Sequence, residues 1–250
     1  MKDALHTGVE TFSPLYVEVK RLITQALIEA EWQAGDALPS ETKLAQRYRV
    51  SVGTIRRAVD ELATEQILVR QQGRGTFVAT HSPKRLLYHF FHIVRDDGVK
   101  ELPEIETLSF ERARADVEAA RRLNLLPGER VLNIRLRLRL SGQPIVIDEM
   151  VLSQARFPDL TERVFGEREA TIYSLYQTRY GINIVRAAER LRAVLADRTV
   201  AKLLGVAAGA PLLEINRTAM TYHNTPVELR RSLVNTAQHE YRSDLGKGVA

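Results

Sequence analysis

Apolar residues in the first eighty positions recur at helical spacing and then switch to alternation. After Pro14, LYVEVKRLITQALIEA sets Val19, Ile23, Ala26 and Ile28 along one stripe and leaves Glu18, Lys20, Arg21 and Glu29 for solvent, which predicts an amphipathic helix. Gly35, Asp36 and Pro39 interrupt it. Ser40 then heads ETKLAQRY as an N-cap, and Leu44, Ala45 and Tyr48 form the inward face. Ser51 caps a third helix in which Ile55, Val59 and Leu62 fall at i, i+4 and i+7. That stripe is too short to hold a helix unless it packs on the first two. From Ile67 the period changes: ILVR and TFV are β-prone runs on either side of QQGRG, where Gly73 and Gly75 permit the φ values of a tight hairpin.

Three helices followed by a two-stranded hairpin predict a winged helix-turn-helix, whose third helix enters a major groove N-terminus first while the wing lies along the backbone or minor groove. Ser51, Gly53 and Thr54 make a small polar leading turn that can approach base edges or phosphates. Arg56 follows one turn on, within reach of a guanine edge or a phosphate. Arg57 points roughly 100° further round, toward a phosphate or the wing. Arg74, with Gln71 and Gln72 beside it, occupies the wing tip. From Lys43 to Arg74 there are seven basic residues (Lys43, Arg47, Arg49, Arg56, Arg57, Arg70, Arg74) and three acids (Asp60, Glu61, Glu65). The acids sit late on the third helix, so its leading turns stay positive.

Beyond the hairpin, THSPKR is short, polar and proline-containing, which predicts a linker. The resulting domain scheme is 1–80, a linker at 81–85, and 86–250. LLYHFFHIV (86–94) is a strand candidate without a clear inward face, and IETLSFERARA (105–115) predicts a second strand. Asp116 caps VEAARRLNLL, which Pro127-Gly128 ends. VLNIRLRLRL alternates cleanly, Leu132 to Leu140 on one face and Arg135, Arg137 and Arg139 on the other, and Ser141-Gly142 turns it back into QPIVIDEMVL. The pattern recurs from Asp197: Asp116 matches Asp197, Leu123 matches Leu204 and Gly128 matches Gly209. One extra residue then sets Arg135 on Arg217 and Pro144 on Pro226. With FPDL, TIYSLYQTRYG and INIVRAAERLRAVLA between the repeats, an α+β domain with an antiparallel sheet is expected, and its two halves should enclose a small-ligand cleft.

Composition narrows the classes. Of 250 residues 44% are hydrophobic and 27% charged, a globular balance, and the net charge of +5 is compatible with a polyanionic partner. The absence of cysteine removes thiolate chemistry and suits a reducing compartment, so a cytoplasmic location is expected. MKDALHTGVETFSP lacks the apolar core of a secretory signal, and no run nears the roughly 18 apolar residues of a membrane helix. There is no H-E-x-x-H, no G-x-S-x-G and no phosphate loop with its lysine, so no catalytic residue, metal or cofactor is assigned. Asp148 and Glu228 could serve as acid and base, but nothing else organises a reaction around them, which counts against an enzyme tethered to DNA. A non-specific architectural protein would need a denser basic surface than +5 over 250 residues.

PLYVEVKRLI, GDALPSETKLAQRYRVSVGTIRRAVDEL and RQQGRGTFV together resemble the operator-binding domain of the GntR family of bacterial repressors across residues 12–80. The resemblance implies a homodimer on a palindromic double-stranded operator, with Ser51, Thr54 and Arg56 facing the groove and Gly73 letting the wing touch the backbone. Two basic positions common in the family are Val52 and Thr42 here. Affinity is therefore expected to rest on Lys43, Arg56, Arg57 and Arg74, with Val52 free to meet a thymine methyl. Residues 84–245 are similar to the effector-sensing (UTRA) domain of the HutC subfamily, which has a chorismate-lyase-like fold. The similarity runs through L-x-x-G-x-x-V-x-x-I, G-x-P before an acidic pair, FP-x-L, Y-x-x-x-Y-G-I and P-V-E. It implies that Asp148 and Glu228 line the cleft. Tyr173, His92 and Arg95 are further candidates. The family's Arg-x-Arg, which binds sugar phosphates, falls on Leu136 and Leu138 when counted back from Gly142, whereas a one-residue slip would bring in Arg137 and Arg139. The expected effector is a small organic acid or aromatic metabolite in preference to a sugar phosphate.

Overall fold

The computed structural model describes residues 14–243, and it divides into a unit ending at Ala79 and a second unit beginning at Thr80. MKDALHTGVETFS, most of the segment read above for a secretory signal, lies outside the described residues, as do the last seven.

In the first unit, α1 (Leu15–Ile28), α2 (Glu41–Tyr48) and α3 (Val52–Thr64) precede a ribbon of β1 (Leu68–Gln71) and β2 (Gly75–Val78). Ser40 and Ser51 act as N-caps, their hydroxyls accepting from the amides of Lys43 and Thr54. Ile55, Ala58, Val59 and Leu62 are buried, and α1 meets them with Val19, Ile23, Ala26 and Leu27. Ile28, expected in that stripe, is 44% exposed; the 3.6-residue period carries Leu27 inward instead. Gln71 pairs with Gly75, so Gln72, Gly73 and Arg74 form the wing tip. Gly73 and Gly75 take φ of 70° and 114°, the left-handed region that needs no Cβ.

The second unit opens with a single helical turn, α4 (Pro83–Arg85), and a π-helical turn over Leu86–Phe90, followed by β3 (Ile93–Arg95). Two expectations change here. Residues 86–94 are not one strand: only Ile93–Arg95 is extended, paired with β10 (His239–Tyr241) as a separate ribbon. A run that is apolar throughout has no period to choose between helix and strand. The segment read as a linker is partly built into this unit, with His81 and Arg85 buried.

A six-stranded antiparallel sheet forms the body, ordered β4-β5-β6-β9-β8-β7. Its first half is β4 (Glu104–Arg114), α5 (Val117–Leu123), β5 (Arg130–Leu140) and β6 (Gln143–Ser153). After α6 (Glu162–Gly166) and α7 (Ile172–Tyr180), the second half repeats it as β7 (Arg186–Leu195), α8 (Arg198–Leu204), β8 (Pro211–Thr221) and β9 (Thr225–Val234). Asp116 and Asp197 cap the equivalent helices, and β6 and β9 join the halves at the centre. One face carries the main core, from Leu132, Ile134, Leu136 and Leu138 to Phe157, Phe165 and Tyr176, beneath α7. The opposite face receives α5 on Val131 and Leu229, and α8 on Leu212 and Leu233.

The match of Arg135 to Arg217 does not survive the pleat. Arg217 is buried on the core-bearing face, whereas Arg135 lies on the other face, paired with Glu149 at 2.5 Å. Leu136 is the equivalent of Arg217. The extra residue sits in the later hairpin turn, Tyr222–Asn224 against Ser141-Gly142, so only β6 and β9 are shifted.

Candidate functional site

Burying one stripe of α3 leaves its leading turn in solvent. Ser51, Val52, Gly53, Arg56 and Arg57 are exposed and Thr54 half-buried. The Ser51 hydroxyl accepts from the Thr54 amide at 3.1 Å and lies 2.9 Å from the Thr54 hydroxyl, which closes the turn. Arg56 Nε donates to Glu41 Oε2 at 3.0 Å. The Arg57 guanidinium stacks 3.8 Å over the Tyr16 ring, a contact with α1 and not with the wing. Lys43, Gln72, Gly73 and Arg74 are also exposed, and Arg74 lies 5.9 Å from the Phe77 ring. The first unit thus presents a polar helix tip with cations above and beside it, an arrangement able to read base edges and hold phosphates.

In the second unit a cleft of about 50 Å³ lies over the sheet face that carries the main core, walled by Phe90, Phe91 and His92 on one side and Ile172 and Tyr173 on the other. Its floor is charged. Arg217 and Arg230 face each other directly across β8 and β9. Arg230 Nη1 donates to Asp148 at 3.0 Å, and its Nε and Nη2 donate to Glu228 at 2.9 and 3.2 Å. Burial opposes the Arg230 charge, but Glu228 and Asp148 outweigh it and hold its pKa well above the ordinary value. The Ser232 hydroxyl donates to Asp148 at 2.5 Å, and the Tyr176 and Tyr173 hydroxyls donate to Glu228 at 2.8 and 3.3 Å. Arg217 Nε donates to Glu189 at 2.6 Å and its Nη2 to the Phe90 carbonyl, while Tyr241 donates to Glu189 from the rim. Burial raises the Tyr173 hydroxyl to about 12, and burial followed by the Arg217 charge, with Glu189 opposing, lowers the His92 imidazole. Each ion on this floor is met by an opposite charge, as burial in a low-dielectric site requires.

Beside the cleft, the ring of His81 packs 5.6 Å from that of Phe90 and 5.7 Å from that of Tyr173, and its Nε2 bonds Asn183 at 2.8 Å. The His81 amide donates to Gln177 and its carbonyl accepts from Thr171. The segment entering the second unit is therefore tied to α7.

Residues 15–78 match the bacterial regulatory proteins of the gntR family, and residues 100–240 match the UTRA domain. The chain belongs to the GntR family. Its UTRA domain is consistent with the HutC-like subfamily. An HTH-type transcriptional regulator from Mycobacterium tuberculosis is 30% identical over 220 residues, 86% of this chain and 80% of that one. A protein of Escherichia coli K12 described as a "Probable fructoselysine utilization operon transcriptional repressor" is 28% identical over 216 residues, 86% of this chain and 88% of its own. The ligand-binding domain of a GntR-family transcriptional regulator from Bordetella bronchiseptica superposes with a TM-score of 0.60 at 38% identity, covering 64% of this chain and 99% of that domain. The present chain is accordingly a GntR/UTRA transcriptional regulator, not an enzyme, in which the effector domain modulates DNA binding. Among the described residues no helix is long and apolar enough to cross a membrane.

For this GntR protein, the residues expected at DNA all fall on one helix tip, the start of α2 and the wing. Of those expected at the effector, His92, Asp148 and Tyr173 line the cleft. Glu228 lies beneath it, fully buried behind Arg230. Arg95, Arg137 and Arg139 do not line it. Arg95 closes on Asp97 at 2.6 Å. Arg137 donates to Glu106 at 2.8 Å on the far sheet face, with Arg139 3.7 Å from the same carboxylate. The register puts Leu136 and Leu138 inward; a bulge between Leu138 and Arg139 comes too late to reverse them. Sequence reasoning missed Arg217 and Arg230. Arg217 continues the inward Leu213–Ile215 alternation and was findable. Arg230 stands beside the exposed Arg231 in TPVELRRSLV, where apolar residues fall on both faces and no alternation in the sequence tells the two apart.

Proposed function

We propose that this protein is a repressor that binds a palindromic operator as a homodimer through the tip of α3 and the wing of residues 68–78, and that a small metabolite in the cleft of residues 80–243 alters that binding. The observation that carries the reading is the exposed leading turn of α3, with Ser51, Val52, Gly53 and Arg56 in solvent on a helix that buries Ile55, Ala58, Val59 and Leu62, in a chain whose other unit holds a charged-floored cleft. Lys43, Ser51, Val52, Gly53, Thr54, Arg56, Arg57, Gln72, Gly73 and Arg74 are the proposed DNA contacts. The duplicated antiparallel sheet supports the chorismate-lyase-like description of the fold.

For the effector we propose an organic acid or aromatic metabolite. Phe90, Phe91 and Tyr173 supply aromatic walls. Each terminal nitrogen of Arg230 gives one N–H to a carboxylate and has a second to offer an acceptor. Leu136 and Leu138 occupy the inward positions where an arginine pair would grip a phosphate. A thermal-shift panel of aromatic carboxylates against hexose phosphates tests this. Aromatic acids should stabilise the protein, Asp148→Asn should blunt the shift and Arg137→Ala should leave it intact. Stabilisation by hexose phosphates alone, or its loss in Arg137→Ala, would reverse the assignment.

A further inference from the structure

Glu41 begins α2 directly after the Ser40 cap, and its carboxylate joins two arginines from different elements. Arg56 of α3 donates to one oxygen through Nε at 3.0 Å. Arg70 of β1 donates to the other through Nη2 at 3.1 Å, and the same nitrogen reaches Asp60 of α3 at 2.7 Å. The Glu41 side chain is 21% exposed and that of Arg56 63%, so the acid lies below and the guanidinium above it.

We propose that Glu41 is a positioning residue for sequence discrimination: it fixes the Arg56 guanidinium end-on toward the duplex and withholds it from phosphates. The proposal rests on the reading that Arg56 meets the groove. With Nε committed to Glu41, the two terminal nitrogens are the ones left to donate, and that pair matches the O6 and N7 acceptors of guanine. A flexible arginine would lose rotamer freedom on docking, whereas one already held loses less. A carboxylate at the interface also opposes any complex in which only phosphates approach, since it repels them and competes for the same guanidinium. Arg70, itself anchored by Asp60, keeps Glu41 from following Arg56 outward.

Full-length wild type, Glu41→Gln and Arg56→Ala are each selected against a randomised duplex library, and the bound fraction is sequenced. Binding constants are then measured on the enriched duplex and on a scrambled one over a range of salt. Glu41→Gln should unfold at the wild-type temperature and bind the scrambled duplex about threefold to tenfold tighter, with a log–log salt slope steeper by up to about 0.9. It should also flatten the enriched motif at the base pair that Arg56→Ala flattens, so that the ratio of enriched to scrambled affinity falls about tenfold or more. Equal changes on both duplexes with the motif intact would overturn the positioning role while leaving Arg56 as a base contact. A motif unaltered by Arg56→Ala would instead overturn the groove reading beneath it.

Discussion

Arg230→Met isolates the energetics of the cleft floor. The guanidinium is held by Asp148 at 3.0 Å and by Glu228 at 2.9 and 3.2 Å, with side-chain exposures of 12%, 2% and 0%. Deleting one partner of a buried pair costs about 3–5 kcal/mol, because the other charge stays behind without compensation. Here two acids are stranded, but each keeps hydroxyl donors: Ser232 at 2.5 Å for Asp148, and Tyr176 and Tyr173 at 2.8 and 3.3 Å for Glu228. Methionine also preserves most of the packing beneath the Tyr173 ring, 5.8 Å away. A loss of about 3 kcal/mol is therefore expected, which at a urea slope of about 1–3 kcal/mol/M lowers the midpoint by about 1–3 M. The chain supplies two local probes. Its one tryptophan, Trp32, is buried in the first unit, and Tyr173 and Tyr176 are buried in the second. Near-UV circular dichroism of the tyrosines should shift while Trp32 fluorescence does not. Glu228→Gln added to Arg230→Met should recover part of the deficit, because it removes one of the two uncompensated charges. A loss below about 1 kcal/mol, or equal shifts of both probes, would refute the coupled-ion account.

Two further tests bear on the entry segment and the wing. Burial, followed by the Arg85 charge, pushes His81 down to about 3, so the folded state resists a proton that the unfolded chain accepts near 6.5. This group leaves stability unchanged above about pH 6.5 and removes up to about 1.4 kcal/mol per pH unit as pH falls from there toward 3. His81→Gln should flatten the stability profile between pH 7.5 and 5; an unchanged slope would show that other groups set it. In the wing, a Cβ at Gly73 would meet nothing within 4 Å, so Gly73→Ala carries only the strain of φ +70°. About 1 kcal/mol in Trp32-monitored unfolding is expected, and a loss well above 2 kcal/mol would mean that a contact had been missed.

Where chemistry is local, the sequence was informative. Ser40, Ser51, Asp116 and Asp197 cap helices as their neighbours dictate, and Leu132 to Leu140 turn inward as their alternation requires. Positions set by partners distant in the chain were less legible. Residues 86–94 have no period to read, the repeats were aligned one residue out because the insertion lies in a hairpin turn, and Arg230 acquires its role only once β9 is in register with β6. His81 looked like linker polarity until α7 enclosed it.

The duplication has one more consequence. In register, position 148 of the first half corresponds to position 230 of the second, and these hold an acid and a base. A backbone that repeats itself therefore carries a cleft floor that does not. Exchanging Asp148 and Arg230 would keep an acid and a cation in contact, as they now are at 3.0 Å, but would take the guanidinium off the strand that carries Glu228.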